Sequence, residues 1–282
     1  MIELGTVMQR ITVGDYTIEA LTDGLVRLPA PFFPGLDPAE HSEVLDPDGT
    51  VHVPVGGFLI RGQGRAILVD AGFGPREMGF PDGMAPAGDP APMGEAGDLL
   101  TALGKAGVRP GDVDTVFVTH LHADHVGWLA PEGTPAFGRA RVVHGAADWE
   151  PLIGGLPHDD WSRIGLEAVR AAGRIEAIHS DAVALAPGIT ARHTPGHTPG
   201  HYVLDVEADD ERLVLLGDVI HTPVQLRDDR VRFIGDHDPD EAARTRQRWL
   251  AELAGTSTVI AAAHFPGMEF LRLGEDRAPH AV

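Results

Sequence analysis

Residues 119–125 read Thr-His-Leu-His-Ala-Asp-His, which places three imidazoles and a carboxylate in the six positions from His120 to His125. All four are good ligands for zinc or a similar borderline divalent ion. The run before them, Asp114 to Thr119, is apolar and β-branched and reads as a buried strand. The histidines therefore fall at the carboxyl end of a strand, where layered α/β folds build their sites. In an extended stretch His120 and His122 face the same side, while Asp124 and His125 come a turn later and point into a neighbouring position. One short segment would then serve two metals. The alternative is a solvated, histidine-rich turn.

Complementary ligands occur at further strand ends. The sequence His193-Thr-Pro-Gly-His197-Thr-Pro-Gly-His201 spaces histidines by four, but Pro195, Gly196, Pro199 and Gly200 exclude a helix. It reads as a rigid loop between strands at 188–192 and 202–206. Arg212 to Asp218 is an apolar strand ending in Gly-Asp, and Thr258 to His264 is another ending in histidine. Taken singly, a strand-terminal Asp is usually a turn residue and a lone His a structural one. Together these strand ends argue for a dinuclear centre.

With Leu68-Val69-Asp70-Ala71-Gly72 added, the chain resembles the metallo-β-lactamase superfamily over nearly its full length. The stretch Gly217 to Gln225, the stretch Phe233 to Asp238 and the opening Val13 to Gly24 are similar to the methyl parathion hydrolase and lactonase-like branch. The resemblance implies an α+β fold, an αβ/βα sandwich of two sheets flanked by helices, with a dinuclear metal site at one edge. By position, His120, His122 and His197 would hold the first metal. Asp124, His125 and His264 would hold the second, and Asp218 would bridge both. Asp70 would steady the histidine loop from outside the ligand set. The cofactors implied are two divalent ions, zinc first, with manganese, cobalt or iron as alternatives.

Such a pair, about 3.5–4 Å apart, lowers the pKa of a shared water toward neutrality and holds it as hydroxide. The expected reaction is hydrolysis of a lactone, aryl ester or phosphotriester. Asp124 and Asp218 are candidate catalytic residues, with Asp124 accepting and returning a proton. Lactonases of this fold often carry a tyrosine just past the bridging Asp. Here only Tyr16 and Tyr202 exist, and His221 stands third after Asp218. His221 either replaces that donor, as a third catalytic candidate, or makes a supporting hydrogen bond. The other readings are a glyoxalase-type thioesterase, disfavoured because the chain ends soon after His264, a mononuclear iron dioxygenase acting on sulfur substrates, and a non-catalytic metal-stabilised binding protein.

Zero cysteines exclude a lactamase with a Cys zinc ligand, and Asp218 argues against the three-histidine lactamase pattern. A net charge of −20 argues against nucleic acid and anionic membranes as partners, leaving a small neutral or apolar substrate. Met1–Gly14 has no signal-peptide pattern and no apolar stretch reaches membrane-span length, so the expected location is cytoplasmic. At 282 residues and 43% hydrophobic, the chain can form one hydrolase domain over 1–282, and a homodimer is left open. The patterning predicts helices over 95–106, 160–172 and 239–254. The last has Asp238 as N-cap, Pro239 at the first position and Gly255 beyond its end. Two Pro- and Gly-rich segments, 29–36 and 73–97, are candidate walls of a substrate pocket, with Trp149 and Trp161 as rim or core. His41, His52, His144, His193 and His237 read as structural or surface residues.

Overall fold

A computed structural model of the chain describes residues 9–81, 83–86 and 92–282. Among these, the first sheet is built from β1 (Arg10–Val13), β2 (Tyr16–Pro29), β3 (Thr50–Gly62), β4 (Arg65–Val69), β5 (Glu77–Met78), β6 (Gly94–Ala96), β7 (Thr115–Val118), β8 (Arg141–Gly145) and β9 (Ile175–Ile178). Its order is β5-β6-β2-β3-β4-β7-β8-β9, with β1 paired to β2. The second sheet runs in sequence order: β10 (Ala182–Ala186), β11 (Ile189–His193), β12 (Tyr202–Ala208), β13 (Glu211–Leu215), β14 (Val259–Ala261), β15 (Leu271–Leu273) and β16 (Pro279–Ala281).

The layers follow from which strand faces are apolar. Between the sheets lies a buried cluster that takes Phe58, Val69 and Phe117 from the first and Leu204, Leu215 and Ala261 from the second. The outer face of the first sheet packs Leu68, Val116 and Val142 against α1 (Leu99–Lys105) and α3 (Trp161–Ala171). The outer face of the second packs Val203, Val214 and Ile260 against Trp249, Leu250 and Leu253 of α4 (Pro239–Leu253). Central strands apolar on both faces are what a sheet covered on both sides requires. The short α2 (Ala123–Val126) lies within the histidine motif itself. Among the described residues, no helix is long and apolar enough to cross a membrane.

Strand direction positions the site. The pairs β4·β7, β7·β8 and β13·β14 are parallel, so their carboxyl ends emerge on one edge. Asp70 follows β4, His120 follows β7, Asp218 follows β13 and His264 follows β14.

Two departures from the sequence expectations have clear causes. The helix expected over 95–106 begins only at Leu99, because Glu95 and Ala96 pair with Leu25 and Gly24 as strand. The start is set by Asp23, whose Oδ1 accepts the Leu99 amide at 2.8 Å. The segment 73–97, read as a loop, contains β5 and β6; its residues 82 and 87–91 lie outside the described residues, as do residues 1–8 of the leader reading. By contrast α4 starts as expected: the Asp238 carboxylate accepts the amides of Asp240 at 3.1 Å and Glu241 at 2.9 Å.

Candidate metal centre

The connection after β7 turns inward as soon as the strand ends. Asp70 sits in the left-handed region at φ 62°, a conformation that Asp tolerates better than most residues. There its Oδ1 accepts the Thr119 amide at 2.8 Å, and the Thr119 hydroxyl lies 3.0 Å from Oδ2. The same Oδ2 stands 2.9 Å from His125 Nδ1. Asp70 thus reaches both ends of the histidine segment.

Three imidazole nitrogens converge next to it. His120 Nε2 is 3.0 Å from His122 Nδ1, which is 2.9 Å from His197 Nε2, and the triangle closes at 3.2 Å. A second group faces it: His125 Nε2 is 3.4 Å from Asp124 Oδ2, and His264 Nε2 is 3.5 Å from the same oxygen. Asp218 lies between them. Its Oδ1 is 3.4 Å from His125 Nε2, while its Oδ2 is 3.2 Å from His264 Nε2 and 3.4 Å from His197 Nε2.

The outward nitrogens are held. His264 Nδ1 pairs with the Pro54 carbonyl at 2.8 Å, His197 Nδ1 with Asp236 Oδ1 at 2.9 Å and His120 Nδ1 with the Thr119 hydroxyl at 3.1 Å. Anchoring one ring nitrogen aims the other inward, the usual arrangement around a metal.

Electrostatics divides these histidines. Burial, reinforced by neighbouring imidazoles, pushes His120 and His197 well below the ordinary imidazole range. Burial acts the same way on His125 and His264, but Asp124 and Asp218 outweigh it; His125 is raised well above normal and His264 to about 9. Asp218 resists burial because His264, His125 and His120 surround it, and its carboxyl is held well below the usual range.

The donor set fits a pair of small divalent ions. Three nitrogens about 3 Å apart match the ligands of one ion bound at roughly 2.0–2.1 Å. Among the described residues, Asp218 Oδ1 and His125 Nε2 are buried without an aligned hydrogen-bond partner. Buried donors and acceptors of this kind, turned toward one another, suit a bound cation.

His201 stands apart. Its Nδ1 meets the Thr194 hydroxyl at 2.7 Å and its Nε2 accepts the Asp218 amide at 2.9 Å, so both nitrogens are occupied and the ring braces Asp218. His221 lies 3.3 Å from Asp218 Oδ2 through Nε2 and stacks on Phe233 with ring centroids 3.8 Å apart. Neither of its nitrogens has an aligned hydrogen bond among the described residues. Both tyrosines are engaged elsewhere: Tyr16 donates to the Pro187 carbonyl at 2.6 Å and Tyr202 to the Ser180 carbonyl at 2.8 Å.

The two Pro- and Gly-rich segments meet beside the centre. Phe33 packs with Phe73, Met93 and Val224 in one apolar cluster, against which Ala123, Phe233 and Trp161 also pack. Trp161 meets Phe73 edge-on and carries the Arg76 guanidinium 3.9 Å above its ring, whereas Trp149 packs with the α3-side core.

Sequence reasoning missed two carboxylates. Asp148 is fully buried and accepts from the Leu121 amide, the Thr198 hydroxyl and the Gly200 amide, tying the two histidine loops together. Asp236 holds His197. Each is one acidic residue among many, and only the fold brings it to its partner.

An αβ/βα sandwich with histidines and aspartates gathered at the strand ends defines a metallohydrolase-type scaffold. The metallo-beta-lactamase superfamily profile matches residues 54–264, and the chain belongs to that superfamily. It is 28% identical over 205 residues to an N-acyl homoserine lactonase of Bacillus cereus, covering 71% of this chain and 77% of that protein. It is likewise 28% identical over 218 residues to the N-acyl homoserine lactonase AiiA of Bacillus thuringiensis subsp. kurstaki, covering 76% and 82%. Among solved structures, AidC, described as a dizinc quorum-quenching lactonase in complex with a product, superposes with a TM-score of 0.78 at 23% identity over 98% of this chain and 96% of that one.

Proposed function

We propose that this protein is a dinuclear metal-dependent lactonase whose substrates are N-acyl homoserine lactones. The observation that carries the reading is Asp218, which stands within 3.4 Å of both His197 and His125 and so spans two groups of inward-facing ligands. In this reading His120, His122 and His197 hold one ion, and Asp124, His125 and His264 hold the other, with zinc the expected metal in both. Bound there, the ions supply Lewis acidity and a hydrolytic water of near-neutral pKa.

The chain's own groups do the rest. Asp124, a quarter exposed, accepts a proton at its carboxylate and returns it to the leaving alkoxide. His221 faces the same centre and takes the place of a phenol donor. The apolar cluster around Phe33, Phe73 and Phe233 offers a dry wall for an acyl chain. A mononuclear iron arrangement would leave Asp124, His125 and His264 without a role. The net charge of −20 supports a small neutral substrate over nucleic acid or an anionic membrane, and the absence of cysteine supports a reducing, cytoplasmic setting.

The test is kcat/KM of metal-replete protein on an acyl-homoserine lactone series, with an aryl dialkyl phosphotriester in parallel. Turnover of lactones that rises with acyl length supports the reading. Turnover of the phosphotriester alone would move the protein to the organophosphate-hydrolysing reading, and inactivity on both would overturn the substrate class.

A further inference from the structure

The segment from Phe233 to Asp238 follows no regular element, yet it is registered tightly against the His197 loop. The His237 amide donates to the His197 carbonyl at 3.0 Å and the Asp238 amide to the Gly196 carbonyl at 2.9 Å. α4 holds the same loop from its other side, where the Thr245 hydroxyl donates to the Pro195 carbonyl at 2.7 Å. Within this clamp the Asp236 side chain is 2% exposed, and its Oδ1 stands 2.9 Å from His197 Nδ1. Its Oδ2 has no hydrogen-bond partner among the described residues.

A buried carboxylate with an idle oxygen needs a counter-charge. The buried cation of this region is Arg246 on α4, which makes no ion pair with Asp236 within 4.0 Å. It is 2% exposed and its Nη2 donates to the Val231 carbonyl at 2.9 Å, while Nε has no partner among the described residues. Burial raises the Asp236 carboxyl above its ordinary value, a rise that His221 and then Arg246 moderate, and burial lowers the Arg246 guanidinium, against which Asp236 acts. The Val231 carbonyl also receives Gln225 Nε2 at 3.4 Å, and Gln225 Oε1 accepts the His221 amide at 2.8 Å. Asp236 and Arg246 thus stand behind the two histidines, His197 and His221, that line one side of the centre.

We propose that Asp236 is a positioning residue for the first metal subsite: it fixes the tautomer and tilt of His197 and raises the basicity of its Nε2. The inference rests on the dinuclear reading above. A carboxylate on the far nitrogen of a ligating histidine acts in this way, and its loss costs about 10–100-fold in metal affinity. Asp236 plays no part in holding the second subsite, so the effect is confined to one of the two.

The experiment is chelator competition with Zn2+ and Co2+ on the wild type, Asp236→Asn and Asp236→Ala, together with the Co2+ ligand-field spectrum and urea unfolding of each metal-free protein. The expected result is two equivalents bound by the wild type. In Asp236→Ala one of the two dissociation constants rises about 10–100-fold, the other holds, and the spectrum of the weakened site changes; Asp236→Asn, which can still accept from Nδ1, lies between. Unchanged affinities at both sites overturn the proposal, as does an equal fall at both, which would make Asp236 a general structural residue. A wild type that binds no metal overturns the dinuclear reading and this inference with it, and is recognised before any variant is made.

Discussion

Asp148 accepts the Gly200 amide at 2.6 Å, and through this bond the two histidine-bearing loops share one buried anion. Its other oxygen takes the Thr198 hydroxyl at 3.0 Å and the Leu121 amide at 3.2 Å. His120 and His122 flank Leu121, and His197 precedes Thr198, so the spacing of the three nitrogens is set here. Asp148→Asn puts an amide NH2 among donors. It should cost about 2–4 kcal/mol in the urea unfolding of metal-free protein, because buried donors lose their acceptor. Stability within experimental error of the wild type would remove Asp148 from this role.

Asp218→Ala should lose bound metal and hydrolysis together, since it deletes the group that both ligand sets face. Metal analysis beside kcat checks this; full activity at normal loading would sink the bridging assignment. His201→Ala should instead keep two equivalents of metal while lowering stability, because both of its nitrogens already serve Thr194 and Asp218. Loss of one equivalent would mean that His201, not His197, is the ligand from the loop.

Gly196 has φ +133°, and a Cβ there would lie 2.2 Å from the Ala242 amide nitrogen at the start of α4. Neither backbone can yield cheaply. Gly196→Ala should therefore destabilise by more than about 2 kcal/mol and weaken metal binding, by pushing α4 off the His197 loop. Thermal unfolding with metal titration measures both; a neutral variant would show that the loop and helix are not rigidly coupled.

Most ligand candidates were legible in the sequence because His120, Asp218 and His264 follow apolar runs that read as strands, and parallel pairing brings the ends of such strands to one edge; His197 was legible from the His-Thr-Pro-Gly repeat instead. The αβ/βα architecture was legible through the same motifs. Asp148, Asp236 and Asp23 were not. Asp148 meets a partner 52 residues away, Asp236 one 39 away and Asp23 caps a helix 76 residues on. Nothing local says which distant group each of them meets. The misplaced start of α1 has the same origin, since the group that caps it comes from β2.

A pH effect arises far from the centre. Glu252 on α4 meets Arg212 Nη2 at 2.8 Å and Arg192 Nη1 at 3.0 Å. Partial burial works against its charge, but the two arginines prevail and its carboxyl is held below the normal value. Its folded pKa is thus depressed, so its contribution is present above the unfolded pKa of about 4.3 and disappears as pH falls through the folded value. Because the group is partly exposed, the contribution is about 0.5–1 kcal/mol. Glu252→Gln should be less stable than the wild type by that amount at pH 7, and the gap should close below about pH 4. A gap independent of pH would show that the packing of the side chain, not its charge, is what matters.

His221 poses the sharpest question about the chemistry. Its ring stacks on Phe233 at 3.8 Å, which phenylalanine at the same position would preserve, while its Nε2 faces Asp218 and neither nitrogen has an aligned hydrogen bond among the described residues. His221→Phe therefore separates packing from proton chemistry. If His221 donates to the substrate or its leaving oxygen, kcat should fall about 10²-fold while metal content and unfolding temperature hold. A rise in KM at constant kcat would make His221 a binding group only. An unchanged kcat/KM would reduce it to a wall of the pocket, and the absent phenol would then have no substitute in this chain.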